Sequence, residues 1–119
     1  MHRTIIFYRT LDGKCPIQDF LDSLPGKVAQ KIAWMLRLLE DLEIVPATYF
    51  KKLVNTEDIW GCRIQYGSHI YRIFCFFDSH ALIVLTHGFE KKSMKTPRQE
   101  IERAESYRRE YLNRKGKKK

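Results

Sequence analysis

Residues 59–92, IWGCRIQYGSHIYRIFCFFDSHALIVLTHGFEKK, decide the fold. Three runs within this stretch, 59–66, 69–77 and 81–87, are rich in β-branched and aromatic residues and read as strands. Gly67–Ser68 separates the first two, and a two-residue loop with glycine first suits a type II′ hairpin turn. Asp78–Ser79–His80 separates the second and third and is equally turn-forming. Connections this short join antiparallel neighbours.

Working outward, residues 3–10, RTIIFYRT, read as a further strand. Pro16 opens a short helix through about Leu24, with Ile17, Phe20, Leu21 and Leu24 on one face, and Pro25–Gly26 breaks it. Val28, Ile32, Met35, Leu39 and Leu42 then recur at helical spacing over about Lys27 to Glu43. Residues 48–54, TYFKKLV, fit strand or loop equally. After the meander, Thr96 is placed to cap a helix, Pro97 to take its first position and Gln99 to complete a capping box. Ile101, Ala104, Tyr107, Tyr111 and Leu112 give that helix an apolar face. The order β-α-α-(β)-β-β-β-α predicts an α+β domain: an antiparallel sheet with an N-terminal αα-hairpin and a C-terminal helix. The domain is expected over 1–114, with 115–119, Lys-Gly-Lys-Lys-Lys, as a basic disordered tail.

Hairpin counting places candidate chemistry. With Gly67–Ser68 as the loop, Arg63 faces Arg72, and Gly61 faces Phe74. Side-by-side arginines repel unless an anion or an acid lies between them. A two-residue Ser79–His80 loop, or a four-residue one, sets Arg72 opposite His87; a three-residue loop would send His87 to the other face. Lys91, Lys92 and Lys95 follow, leading into the helix start, whose free N–H groups favour anions. These types suit RNA cleavage without a metal or cofactor, because RNA carries its own nucleophile, the 2′-OH. Arginine binds phosphate bidentately and stabilises the phosphorane charge, histidine transfers protons near neutrality, and lysine does so where other cations lower its pKa. The candidate catalytic set is Arg63, Arg72, His87, Lys91 and Lys92, with Lys95, Arg98 and Phe89 as further RNA contacts. His87 also reads as a hydrogen-bonded structural histidine, and the lysine pair as solvated loop charge. His2, His69 and His80, at a terminus or in turns, receive no role. Trp60 and Tyr66 read as core aromatics.

The chain has 119 residues and a net charge of +8. The first 90 residues hold ten Lys/Arg and ten Asp/Glu, whereas residues 91–119 hold twelve against four, a footprint that suggests nucleic acid. The three cysteines include no Cys-x-x-Cys, which argues against a zinc ribbon or a disulfide framework, and Cys62 and Cys75 read as buried hydrophobes. No apolar run reaches the ~20 residues that span a bilayer, and no signal peptide is evident, so a cytoplasmic protein is expected.

Trp60 to Arg63, Tyr71–Arg72–Ile73, His87 to Lys92 and Lys95–Thr96–Pro97 together resemble the signature of the RelE/ParE toxin superfamily, within it the HigB-like, phage-derived branch of type II toxin–antitoxin systems. The resemblance covers about residues 48–112. It implies a toxin that cleaves mRNA on the translating ribosome and is neutralised by an antitoxin, commonly of helix-turn-helix type. It also implicates the positions of Arg63, Arg72 and Lys91–Lys92 in binding and cleavage. The branch often has Trp-Glu-Leu-Arg where this chain has Trp60–Gly61–Cys62–Arg63, which removes a carboxylate beside the arginines. A ParE-like gyrase inhibitor and an inactive toxin-fold module that binds RNA or antitoxin are the competing readings.

Overall fold

Prolines and apolar spacing set the helix limits in the computed structural model, which describes residues 2–116. Pro16 is the first residue of α1 (Pro16–Asp22), and Pro25 immediately precedes α2 (Gly26–Asp41). Val28, Ile32, Met35 and Leu39 are buried as the 3.6-residue period requires. Leu42, expected as the next member, has left the helix: its backbone is extended at φ −77 and ψ 132, and its side chain is exposed.

The strands are β1 (Thr4–Phe7), β2 (Phe50–Lys52), β3 (Trp60–Tyr66), β4 (His69–Ser79) and β5 (Leu82–Lys91), and α3 (Arg98–Gly116) follows. The ambiguous segment at 48–54 therefore contains a strand. The sheet order is β1-β5-β4-β3-β2. β2 through β5 form the expected antiparallel meander, but β1 lies parallel to β5, with Thr4 beside Leu82. The sheet is thus mixed rather than wholly antiparallel. The αα-hairpin carries the chain from β1 to the far edge, and the meander returns to bring β5 alongside β1 in the same direction. Apolar patterning specifies strands and faces, not direction.

Both faces are covered, in different ways. On one face Ile17, Ile32 and Leu39 pack on Cys62, Ile64, Ile73 and Leu85. On the other, α3 lies over Phe74, Phe89, Phe76 and Val84, yet Ala104 is its only buried residue, with Ile101, Tyr107 and Tyr111 half-buried. Burial on both faces explains the unbroken apolar run Ile73–Phe76 in β4. Cys15, Cys62 and Cys75 are all free and buried, and burial pushes the Cys62 thiol up to about 12.

Ion pairs and hydrogen bonds add to the apolar contacts of α3, and one of them, Arg114–Glu110, lies within the helix. Arg108 pairs with Asp58 at 3.4 Å, Arg109 with Glu57, Arg114 with Glu110, and Lys115 with Asp78. Tyr8 Oη donates to Glu110 at 2.6 Å, and Tyr111 Oη to Asp78 at 2.8 Å. The helix starts one residue later than expected, with the Pro97 carbonyl accepting the Glu100 N–H at 3.0 Å. It runs through Lys115 and Gly116; the rest of the expected tail, 117–119, lies outside the described residues. Among the described residues no helix is long and apolar enough to cross a membrane.

Candidate anion-binding face

The hairpin β3–β4 has the expected register: Arg63 faces Arg72, and Gly61 faces Phe74. The Arg63 N–H donates outward, to the Tyr49 carbonyl at 2.8 Å, so Arg63 and Arg72 form the non-hydrogen-bonded kind of cross-strand pair, in which side chains stand closer. Lys51 pairs with Gly61, two residues from Arg63, and Lys91 pairs with Ile70, two residues from Arg72. The two-residue period of a strand then puts all four cations on one sheet face. β2, β3, β4 and β5 each supply one.

The β4–β5 register differs from the expected one. The turn occupies His80–Ala81, one residue later than Ser79–His80, because β4 runs on to Ser79. Moving a turn by one residue shifts the pairing by two, which keeps the face and changes the partner. Two irregularities, an extra residue in β4 at Asp78 and one in β5 at Thr86, cancel. Arg72 therefore faces Phe89, and His87 faces Phe74.

His87 consequently leaves the arginine row and lies under α3, 1 % exposed. Its ring meets Phe74 and Tyr107 edge-on at 5.8 and 5.9 Å, Nε2 is 3.1 Å from Glu100 Oε1, and Nδ1 is 3.2 Å from Thr86 Oγ1. Burial, and then the charge of Arg103, pulls its pKa down to about 3. Burial thus favours the neutral imidazole, whose Nε2 faces the Glu100 carboxylate. Phe89, expected to contact RNA, is 9 % exposed and packs edge-on against Phe74 at 5.2 Å. Its ring belongs to the core beneath α3. Gly88, between them, turns to the other face, where a Cβ would meet Phe20 of α1 at 2.4 Å. The His-Gly-Phe triplet thus packs two helices onto β5, one on each face, and the strand ends in the polar pair Glu90–Lys91.

The four cations share one electrostatic problem. Among the described residues no carboxylate lies within ion-pair distance of Lys51, Arg63, Arg72 or Lys91. The Arg72 Nε is buried without a hydrogen-bond partner. Burial, and then the Arg63 charge, lowers the pKa of Arg72. Burial first, then Arg72, Arg63 and Lys51, holds the Lys91 ammonium below the ordinary lysine value. Gln65 Oε1 accepts from the Arg63 guanidinium at 3.2 Å and steadies it. Three adjoining hollows open here, and Arg72 lines each of them. Lys92 is exposed and lines one, beside Arg63, Arg72 and Lys91. Lys95 and Arg98 are exposed and lie outside these linings, and Arg98 is engaged with Glu102 at 3.7 Å.

Lys51 is the member of this cluster that the sequence did not single out; its signal is the Phe50–Lys51 alternation inside a segment that fits strand or loop. Gly61, where the resembling branch often has Glu, has Leu53 and Phe74 3.5 and 3.6 Å from where its Cβ would stand. The hollow that Gly61 lines, with Thr48, Tyr49, Lys51, Arg63 and Arg72, therefore contains no carboxylate. Among the described residues no three His, Cys, Asp or Glu gather as metal ligands would.

The fold is thus a small α+β domain whose mixed sheet bears uncompensated cations on one face, an arrangement that can hold an anion. Residues 19–109 match the family described as phage derived protein Gp49-like (DUF891), and the chain belongs to that family. It is a family of RelE-like toxins of toxin–antitoxin systems, related to the RelE-type endoribonucleases. A comparison with curated proteins found no match.

Proposed function

We propose that this protein is the toxin of a type II toxin–antitoxin pair, of the HigB-like branch, and cleaves mRNA on the ribosome in the cytoplasm without a metal. The observation that carries this reading is the cluster of Lys51, Arg63, Arg72 and Lys91 on one face, with no carboxylate partner among the described residues and a buried Arg72 Nε left open. Such an arrangement is unfavourable in the free protein and becomes favourable around a phosphodiester.

In this reading Arg63 and Arg72 grip the scissile phosphate and stabilise the charge that develops on the phosphorane. The 2′-oxygen attacks phosphorus, its proton passes to solvent, and the bond to the 5′-oxygen breaks, leaving a 2′,3′-cyclic phosphate and a 5′-hydroxyl. Lys91 donates the proton that the departing 5′-oxygen needs, and its neighbours make it a stronger acid than a free lysine. Lys92 binds the flanking backbone at the rim. His87 is a positioning residue: it fixes β5 beneath α3 and so places Lys91.

The partner implied is an antitoxin of helix-turn-helix type. The deciding experiment induces the protein in a bacterium and maps mRNA 5′ ends, with the same cleavage tested on purified ribosomes in magnesium buffer, using protein first treated with EDTA and then dialysed free of it. New 5′-hydroxyl ends are expected, with the chelator-treated protein as active as the untreated, and a folded Arg72→Ala variant should lack them. Growth arrest with intact mRNA and loss of DNA supercoiling would replace this reading with gyrase inhibition. No toxicity at all would leave an inactive binding module.

A further inference from the structure

Beyond β2 the edge of β3 is open, and a fourth hollow straddles it. Lys31, Trp34 and Met35 of α2, Tyr49, and Arg63 and Gln65 of β3 line it. Two of its rings are unusually open to solvent: Trp34 is 48 % and Tyr49 44 % exposed. Trp60, by contrast, is stacked on Phe50 at 5.0 Å in the core. Tyr49 also lines the hollow that contains Lys51, Arg63 and Arg72, so ring and guanidinium serve both cavities. The Arg63 N–H bond to the Tyr49 carbonyl, 2.8 Å, makes the two residues direct cross-strand neighbours.

We infer that this edge hollow is a nucleobase subsite: a single-stranded RNA base beside the scissile phosphate stacks on Tyr49, and Trp34 walls the same cavity. The inference rests on the phosphate-binding reading of Arg63 and adds the base. An occupant here must present a flat apolar surface about one nucleotide from an anion. The charges agree, because Lys31 and Arg63 line the hollow and no Asp or Glu does. Lys31 is tied to the Gln65 carbonyl, which holds α2 against the open strand edge and keeps the walls together. Stacking on aromatic rings accepts any base and is the usual way single-stranded RNA is held. The site therefore adds affinity and positions the phosphate without demanding a particular base.

Two probes separate base from phosphate: a short 2′-O-methyl oligoribonucleotide, which cannot be cleaved, and inorganic polyphosphate, which has no bases. Tyr49→Ala should weaken oligonucleotide binding about tenfold, within the range of one lost base stack, and leave polyphosphate binding unchanged. Tyr49→Phe should retain both, since stacking needs the ring and not the hydroxyl. Arg63→Ala should weaken both probes. The oligonucleotide, but not polyphosphate, should quench Trp34 fluorescence, measured against a Trp34→Phe control that leaves only Trp60. An Arg63→Ala effect on both probes with no Tyr49→Ala effect would overturn the base subsite and leave the phosphate face standing. Unchanged binding in Arg63→Ala would sink the underlying reading. Specific binding of an acidic amphipathic peptide, with no RNA effect of Tyr49→Ala, would assign the groove to a protein partner and overturn the inference.

Discussion

Replacing Arg72 with methionine should make the protein more stable and less active. Arg63 and Arg72 are cross-strand neighbours with Cβ atoms about 5 Å apart, which lets their guanidinium groups approach to on the order of 6 Å. At an effective dielectric of about 40–80, two like charges at that distance repel by ~0.7–1.4 kcal/mol. The buried, partnerless Nε of Arg72 costs about another 1 kcal/mol. Methionine keeps an unbranched, apolar stem in the same half-buried place, so little packing is lost. The expected gain is roughly 2 kcal/mol, or about 6–12 °C in Tm for a domain of this size. Cleavage in the same variant should fall at least ~100-fold, because a donor aimed at developing charge is gone. Thermal unfolding in a low-salt, phosphate-free buffer measures the first effect. Repeating it in 0.5 M sodium chloride should shrink the difference between the proteins, since salt screens the repulsion. A variant that melts below the parent at low salt would refute the reasoning, because Arg72 would then have a stabilising partner in the free protein.

Gly88→Ala drives a methyl group into the Phe20 ring, 2.4 Å away, and should cost ~1–3 kcal/mol in urea unfolding; Phe20→Leu should recover part of that loss, and strict additivity of the two changes would contradict direct contact. Lys91→Met should reduce single-turnover cleavage by ~100-fold or more, whereas Lys92→Met, at the exposed rim, should cost under about tenfold; equal losses would remove Lys91 from proton transfer. The folded pKa of His87, about 3, lies below its ordinary 6.5, so its contribution is complete above pH 6.5 and is lost as pH falls from there toward 3. At pH 5 this amounts to about 2 kcal/mol, and the urea midpoint of His87→Gln should fall less between pH 7 and 5 than that of the parent. Parallel slopes would mean that the imidazole titrates in the fold as it does in the unfolded chain, and a larger fall in the variant would mean that it is already charged.

Residues 59–92 carried most of what could be read beforehand. Turn residues set the β3–β4 register, and with it the Arg63–Arg72 pair, because Gly67 tolerates the positive φ, 61°, that such a turn requires. The β4–β5 turn offered no comparable anchor. Asp78, Ser79, His80 and Ala81 permit adjacent placements, and one step separated Arg72 from His87. The parallel β1 was illegible because direction leaves no mark on apolar alternation. Charge counting located the basic excess in the last quarter of the chain, yet α3 arginines there are paired with acids on α3 itself and on the 57–58 loop. The unpaired cluster draws three of its four members from the part of the sequence whose charges balance. A count along the chain cannot distinguish a neutralised cation from an open one.

The pairing of β1 with β5 also governs timing. Thr4 must wait for Leu82 before the first strand has a neighbour, so a chain emerging from a ribosome holds its opening strand unpaired through the synthesis of most of the domain. β5 that closes the sheet ends at Lys91, the last of the four clustered cations to be made. Closure of the fold and completion of the cluster therefore fall together. A nascent chain lacks the assembled cation face until β5 has emerged and paired with β1.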